Sequence, residues 1–248
     1  MNIKQTTNLL IFFIMLVFTS CGPSSEDLTN QGKKKLSENK FKEAISLFDA
    51  AIKENASNMD AYNSRGYAHM ALEEYSKANS DFSKAIDIYV ETEEDVPNAY
   101  RFYYNRGNVK RFQNDNKGAV IDYTQAIQLD ATIYDIYLNR GLANAEVEGF
   151  TASVQDFDKA IDLANGSDKR IFLHKARILM LSKQFDLAIA SLDKAIALDP
   201  NYGEAYYYKA LSLSGKVGKA DEKVCKMLAM SESLGYAEAS AALAKYCN

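Results

Sequence analysis

Apolar residues recur along most of the chain at steps of three and four, the spacing that places them on one face of an α-helix. One arrangement returns five times: an aromatic residue or leucine is followed three positions later by Ala-Ile. Its copies begin at Phe48, Phe82, Tyr123, Phe157 and Leu192. A period of about 34 residues indicates one supersecondary unit repeated in tandem. The pattern therefore predicts an all-α chain of stacked helix pairs.

The repeated units also align on their small residues. Counting back from the recurring positions places six unit starts, at Ser25, Met59, Tyr100, Tyr134, Lys169 and Gly203. Position 8 of every unit is Gly or Ala, and positions 20 and 27 are small in the first five units. Small residues let the two helices of a unit approach closely, and the larger residue at position 24 fills the remaining space.

This order of small and aromatic positions resembles the tetratricopeptide repeat over nearly all of residues 25–235. The resemblance implies a right-handed superhelical α-solenoid of tandem helix-turn-helix repeats. We expect about six repeats over residues 28–235. A capping helix over 236–248 follows Gly235, since a repeat array closes its last apolar face with an atypical element.

The first twenty residues form a separate segment. Ten apolar residues from Leu9 to Phe18 are too few to span a bilayer and are typical of a signal peptide. Small residues before Cys21 resemble the lipobox of bacterial lipoproteins, which implies that acyl chains such as palmitate are attached to Cys21. Gly22 in the next position favours the outer membrane. The alternatives are a plain secretory signal or an anchor helix, with Cys21 a free thiol.

A lipid anchor at Cys21 predicts a flexible tether over residues 21–27 and a location in the bacterial cell envelope. The spacing between the second and third unit starts is seven residues longer than the usual one. Four acids beside Pro97 predict a solvated, extended loop over residues 89–99. The alternative is a contact or cation-binding loop, but the acids lack calcium-loop spacing and we expect no metal.

Arginine at position 7 and aspartate at position 23 occur together in three units and are both missing from the other three. This correlation predicts ion pairs between the two helices of one unit, because the arginine fork satisfies both carboxylate oxygens. The alternative is shared ancestry of three duplicated units without contact. The predicted pairs are Arg65 with Asp81, Arg106 with Asp122, and Arg140 with Asp156.

Two cysteines lie in the last unit, Cys225 in its second helix and Cys247 at the chain end. A secreted protein reaches an oxidising compartment, so these cysteines predict a disulfide that joins the capping helix to the array. Two buried free thiols are the alternative.

The remaining composition excludes several function classes. The net charge is −4 and no run of Lys or Arg exceeds three residues, so nucleic acid is not an expected partner. Two distant histidines, His69 and His174, have no ligand-spaced neighbours, and no phosphate loop or hydrolase motif occurs. We therefore expect no enzymatic activity and no cofactor. The sequence makes no prediction about the oligomeric state.

The resemblance implies instead a concave surface formed by the first helix of each unit, which binds a protein or extended peptide. The alternatives are a subunit of a transport, pilus or outer-membrane assembly machine, a regulatory subunit of an envelope enzyme, or an enzyme. Asparagine at position 6 resembles the family's clamp on a peptide backbone, because its amide donates and accepts. The groove residues implied by this resemblance are Asn63, Tyr67, Met70, Arg101, Tyr104, Asn105, Asn108, Arg111, Asn139 and Arg170.

Overall fold

The computed structural model describes residues 22–92 and 95–247. In these ranges the chain forms thirteen α-helices and no strand. The expected lipoprotein signal and Cys21 lie outside the described residues. The helices are α1 Ser25–Ser37, α2 Phe41–Glu54, α3 Met59–Ala71, α4 Tyr75–Thr92, α5 Tyr100–Phe112, α6 Asn116–Leu129, α7 Tyr134–Glu146, α8 Phe150–Leu163, α9 Lys169–Leu181, α10 Phe185–Leu198, α11 Gly203–Val217, α12 Glu222–Ser233 and α13 Ala237–Tyr246.

Consecutive helices pack against each other along the chain, which makes the molecule a solenoid. Each unit start predicted from the sequence is the first residue of an odd-numbered helix, from α1 to α11. Successive odd-numbered helices from α1 to α11 also touch one another, whereas successive even-numbered helices have no comparable contact in the described part of the chain. The odd-numbered helices therefore line the inner, concave side of the stack.

A buried ring holds the two helices of each of the first four units together. Phe48, Phe82, Tyr123 and Phe157 are fully buried, and each ring lies against the position-8 glycine of its own unit. A Cβ added at Gly141 would lie 2.8 Å from the Phe157 ring. Glycine is required there because the backbone of one helix contacts the aromatic ring of the other.

The long segment between the second and third units corrects the predicted loop over residues 89–99. Its first four residues extend α4, which has 18 residues where α2 has 14. The helix continues because the Tyr89 ring packs edge-on against Phe102, with centroids 6.1 Å apart. Val96 packs on the same cluster and Ala99 is buried. Part of the segment therefore makes apolar contacts. Residues 93 and 94 lie outside the described ranges.

The predicted tether over residues 21–27 is too long at its C-terminal end. Residues 25–27 form the first turn of α1, because Ser24 and Asp27 make a capping box. The Asp27 backbone N–H donates to Ser24 Oγ, and the Ser24 backbone N–H donates to Asp27 Oδ2, each at 3.1 Å. The array thus begins at Ser25.

The C-terminal end is closed by α13, which packs against α12. A disulfide joins Cys225 of α12 to Cys247, 22 residues later. Ala242 of α13 shares a core cluster with Val224 and Leu228. A cross-link that closes a loop of this length contributes on the order of 3 kcal/mol, chiefly by restricting the unfolded chain.

The ring–glycine contact predicts a stability effect that changes sign with the size of the facing side chain. Gly141→Ala should lower the free energy of unfolding by about 1 kcal/mol, because overpacking outweighs the gain in helix propensity. In a Phe157→Leu background the same change should be neutral or stabilising, since unit five naturally places Ala176 in a cluster with Leu192. Urea unfolding followed by circular dichroism measures both effects. Equal losses in the two backgrounds would contradict the assignment.

Candidate peptide-binding groove

The position-7 arginines lie on the odd-numbered helices and reach the aspartates of the following even-numbered helices. Arg65 donates through Nε and Nη2 to the two carboxylate oxygens of Asp81, at 2.9 and 2.6 Å. Arg106 makes the same fork on Asp122 at 2.9 and 2.8 Å, and Arg140 binds Asp156 likewise. All three carboxylates are buried. In each of these three units the fork therefore pairs both oxygens of a buried carboxylate.

The same arginines also bond to the preceding unit, a contact that sequence reasoning missed. The third guanidinium nitrogen donates to the position-25 side chain of the previous even-numbered helix. These contacts join Arg65 to Asp49 at 2.6 Å, Arg106 to Ser83 at 3.1 Å, and Arg140 to Thr124 at 3.2 Å.

Units five and six replace the position-7 arginine with lysine and keep only the contact to the previous unit. Lys175 binds Asp158, and Lys209 binds Asp193 at 2.6 Å. A cation at position 7 thus links each unit, from the second onward, to the one before it. The signal in the sequence is a short polar residue at position 25 of the first five units, which varies in type and so hides its periodicity.

Four of the predicted groove residues form a row of hydrogen bonds along three consecutive odd-numbered helices, here called the amide row: Asn63, Tyr104, Asn105 and Asn139. The Asn105 amide nitrogen donates to Asn63 Oδ1 at 3.0 Å. The Asn139 amide nitrogen donates to the Tyr104 hydroxyl at 3.2 Å and to the Asp135 carbonyl at 2.8 Å. The carbonyl oxygens of Asn105 and Asn139 have no protein donor among the described residues, so they are open to an incoming N–H group.

Beneath this row, a fully buried core residue hydrogen-bonds to one of the predicted groove residues. Tyr123 stands at position 24, where the other four of the first five units have Phe or Leu, and its hydroxyl donates to Asn108 Oδ1 at 2.8 Å. Burial raises the pKa of Tyr123 well above its usual range, so the hydroxyl stays protonated. The neighbouring Arg111 side chain is half-buried, and its Nε has no hydrogen-bond partner in the described structure.

The other predicted groove residues lie in different surroundings. Tyr67 and Arg101 are exposed, and Arg101 Nε donates to the Asn98 carbonyl at 3.4 Å. Met70 is half-buried against the core cluster around Phe82, so its role in packing limits what it offers a ligand. Arg170 is exposed, and it donates through Nε and Nη2 to the Asp168 carboxylate.

The second half of the long segment forms a wall at the N-terminal end of the concave side. Val96 and Pro97 line a cleft of about 500 Å³ together with Arg101 of α5. The opposite wall comes from α1 and includes Glu26 and Asn30. The sequence showed the extra residues but gave no sign that they would fold back onto the first unit.

Two properties of the described residues bear on the kind of site. None of the helices in the described ranges combines the length and apolar character needed to cross a bilayer. Within the same ranges, no three His, Cys, Asp or Glu side chains come together as a metal site would require.

Models of the tetratricopeptide repeat match the chain over residues 29–89, 100–133 and 170–202, which together are about half of it. The chain belongs to the tetratricopeptide-repeat family. It is 28% identical over 50% of its length to a UDP-N-acetylglucosamine–peptide N-acetylglucosaminyltransferase of Giardia intestinalis, and spans 8% of that protein. It is 29% identical over 68% of its length to human tetratricopeptide repeat protein 6, and spans 31% of that protein. The chain thus covers less than a third of either relative.

Solved structures of repeat proteins share the fold at lower identity. YrrB, described as a repeat protein with an unusual peptide-binding site, is 21% identical with a TM-score of 0.66, covering 80% of this chain and 97% of its own. PilF of Pseudomonas aeruginosa is 16% identical with a TM-score of 0.69. PilW, described as a type IV pilus biogenesis factor, is 17% identical with a TM-score of 0.71. The last two comparisons each cover 88% of this chain and 97% of the other.

The buried pair in unit three predicts unequal effects of its two partners. Lys110 Nζ also lies 2.8 Å from Asp122 Oδ2, so the carboxylate holds two cations. Asp122→Asn should cost about 3–5 kcal/mol of unfolding free energy because it leaves both cations unpaired, and Arg106→Gln should cost less. Denaturant unfolding of both single variants and the double variant should give a coupling of about 1–3 kcal/mol. A coupling near zero would contradict the pair.

Proposed function

We propose that the protein is a non-catalytic scaffold that holds an extended segment of a partner protein on its concave face. The amide row is the observation that carries this proposal. Its internal hydrogen bonds orient the Asn105 and Asn139 side chains. The free carbonyl oxygens of these side chains can then accept hydrogen bonds from peptide N–H groups. Pre-oriented acceptors lower the entropy cost of binding.

The form of the surface favours a peptide over a small molecule. The row runs across α3, α5 and α7, so its polar groups repeat along a line as the N–H groups of an extended chain do. Exposed and half-buried aromatic side chains, Tyr67 and Tyr104, lie on the same helices and supply contact area. The peptide-binding site described for YrrB, which shares the fold, supports this use of the surface.

We further propose that the scaffold is a bacterial lipoprotein, anchored through Cys21 in the cell envelope and most simply in the outer membrane. The apolar segment before Cys21 supports this proposal. The alternative is an accessory subunit of an envelope assembly, pilus or secretion machine, which the structural likeness to PilF and PilW over most of their length favours. A regulatory subunit of an envelope enzyme remains a third candidate from the sequence.

The anchor is tested by labelling cells with an alkyne analogue of palmitate and tagging the purified protein. The wild-type chain should carry the label and sediment with membranes. Cys21→Ser should lose the label, because the thiol is the site of acylation in this proposal. An unlabelled wild-type chain would refute the anchor and leave the scaffold proposal intact.

The groove is tested with peptides selected from a random displayed library against the immobilised protein. Asn105→Ala combined with Asn139→Ala should weaken binding of the selected peptides by about 10- to 100-fold, since each lost hydrogen bond is worth roughly 1 kcal/mol. Fluorescence anisotropy measures the affinity.

The matched control is Gln125→Ala, which removes an exposed amide from α6 on the outer side. Binding should be unchanged in this variant. Peptides that bind the double asparagine variant as tightly as the wild type would show that the concave amides are not the site.

A further inference from the structure

The seven arginines of the chain divide into two groups by their partners. The three position-7 arginines and Arg170 each bind a carboxylate within 4 Å. For the other three, Arg101, Arg111 and Arg177, no carboxylate lies within that distance among the described residues. All three lie on odd-numbered helices, at positions that line the concave side. Structural pairing therefore accounts for the first group but not for the second.

Arg111 is the member of the second group with the largest desolvation cost. Its Nε is buried without a hydrogen-bond partner, and the guanidinium lies 5.7 Å from the centre of the Phe112 ring. A buried donor without an acceptor loses its hydration uncompensated, and more so on a charged group. A bound anion would supply the missing acceptor.

Arg177 lies on α9, two odd-numbered helices further along the stack. It is exposed, and its guanidinium sits 5.2 Å from the centre of the Tyr208 ring. The ring face restricts the guanidinium without neutralising it. A cation held in place in this way is ready for an incoming carboxylate.

His174, on α9 with Arg177, is close enough to these arginines for their charges to act on its ring. Its ring stacks on Phe157, with centroids 6.3 Å apart. Burial, together with the charges of the nearby Arg177, Arg170 and Arg111, lowers the pKa of His174 to about 4. Three acids lie in the same region: Asp168 is bound to Arg170, and burial raises the pKa values of Asp135 and Glu204.

We propose that the concave face between α5 and α9 binds an acidic segment of the partner, with carboxylates of that segment contacting Arg111 and Arg177. This inference rests on the proposed function and specifies the chemistry of the partner. Charge complementarity is the argument: the whole chain has a net charge of −4, whereas this inner stretch presents Arg111 and Arg177, which have no carboxylate partner among the described residues. The adjacent amide row favours a peptide backbone over a lipid surface.

The test compares labelled twelve-residue peptides that alternate Ala with Glu, Gln or Lys, measured by fluorescence anisotropy on the full folded chain. The Glu peptide should bind at least about tenfold more tightly than the Gln peptide, and its affinity should fall with added salt. Arg111→Gln with Arg177→Gln should remove this preference. Arg177→Gln alone changes an exposed residue. It should remove part of the preference for the Glu peptide without affecting folding.

The matched control is Lys84→Gln with Lys159→Gln, which removes two exposed positive charges from the even-numbered helices α4 and α8. This control should keep the preference for Glu. An equal loss in the control would mean that net charge alone attracts the peptide, and would overturn the proposal.

The NMR resonances of the imidazole rings give an independent measurement of binding, because the chain has two histidines. The Glu peptide should shift the His174 signal and leave His69 unchanged, since the buried His69 ring already bonds to Glu74 at 2.5 Å. Glu and Gln peptides that bind equally through the amide row would overturn this inference while leaving the scaffold proposal standing. Failure of every peptide to bind, or binding of anionic phosphatidylglycerol vesicles in place of the Glu peptide, would also overturn it.

Discussion

The contact between a small residue on one helix and a buried side chain on the next controls the geometry of this protein. In four units the ring at position 24 lies directly against a glycine backbone, closer than any Cβ would allow. This distance sets how near the two helices of a unit approach and therefore how each unit stacks on its neighbour. The concave face exists because units with the same internal contact are repeated and each places its first helix on the same side.

A second, polar layer fixes the register between units. A cation at position 7 reaches back to position 25 of the preceding unit in units two to six, whether it is Arg65 or Lys175. The fork onto an aspartate within the unit is added only where that cation is arginine. The link between units is therefore the constant feature, and the buried ion pair inside a unit is a local addition that must stay complete to avoid a buried unpaired charge.

The sequence predicted the helices well because every unit repeats the same packing contact. The starts of the odd-numbered helices from α1 to α11 follow from the small and aromatic positions, and the aspartates of the forks follow from their correlation with arginine. It could not predict contacts that occur once. The Tyr89 contact with Phe102 extends α4 where polarity suggested a loop, and the buried Tyr123 hydroxyl bonds to Asn108 because a tyrosine replaces the usual phenylalanine in one unit. The amide row could be found only from the positions of the helices, since the residues that bond to each other lie 42 and 35 positions apart in the sequence.

Packing contacts thus use the recurring pattern of each unit, and in the proposed function the remaining side chains of the inner helices select the partner. The most direct test places a photo-crosslinking amino acid at positions of similar exposure on the two sides of the stack. Tyr67 and Leu181 lie on inner helices, and Ile121 and Leu187 on outer ones. In living cells, crosslinks to a partner should form from Tyr67 and Leu181 and not from the outer positions. Crosslinks that form from Ile121 or Leu187 while the inner positions stay unlinked would contradict recognition by the concave face.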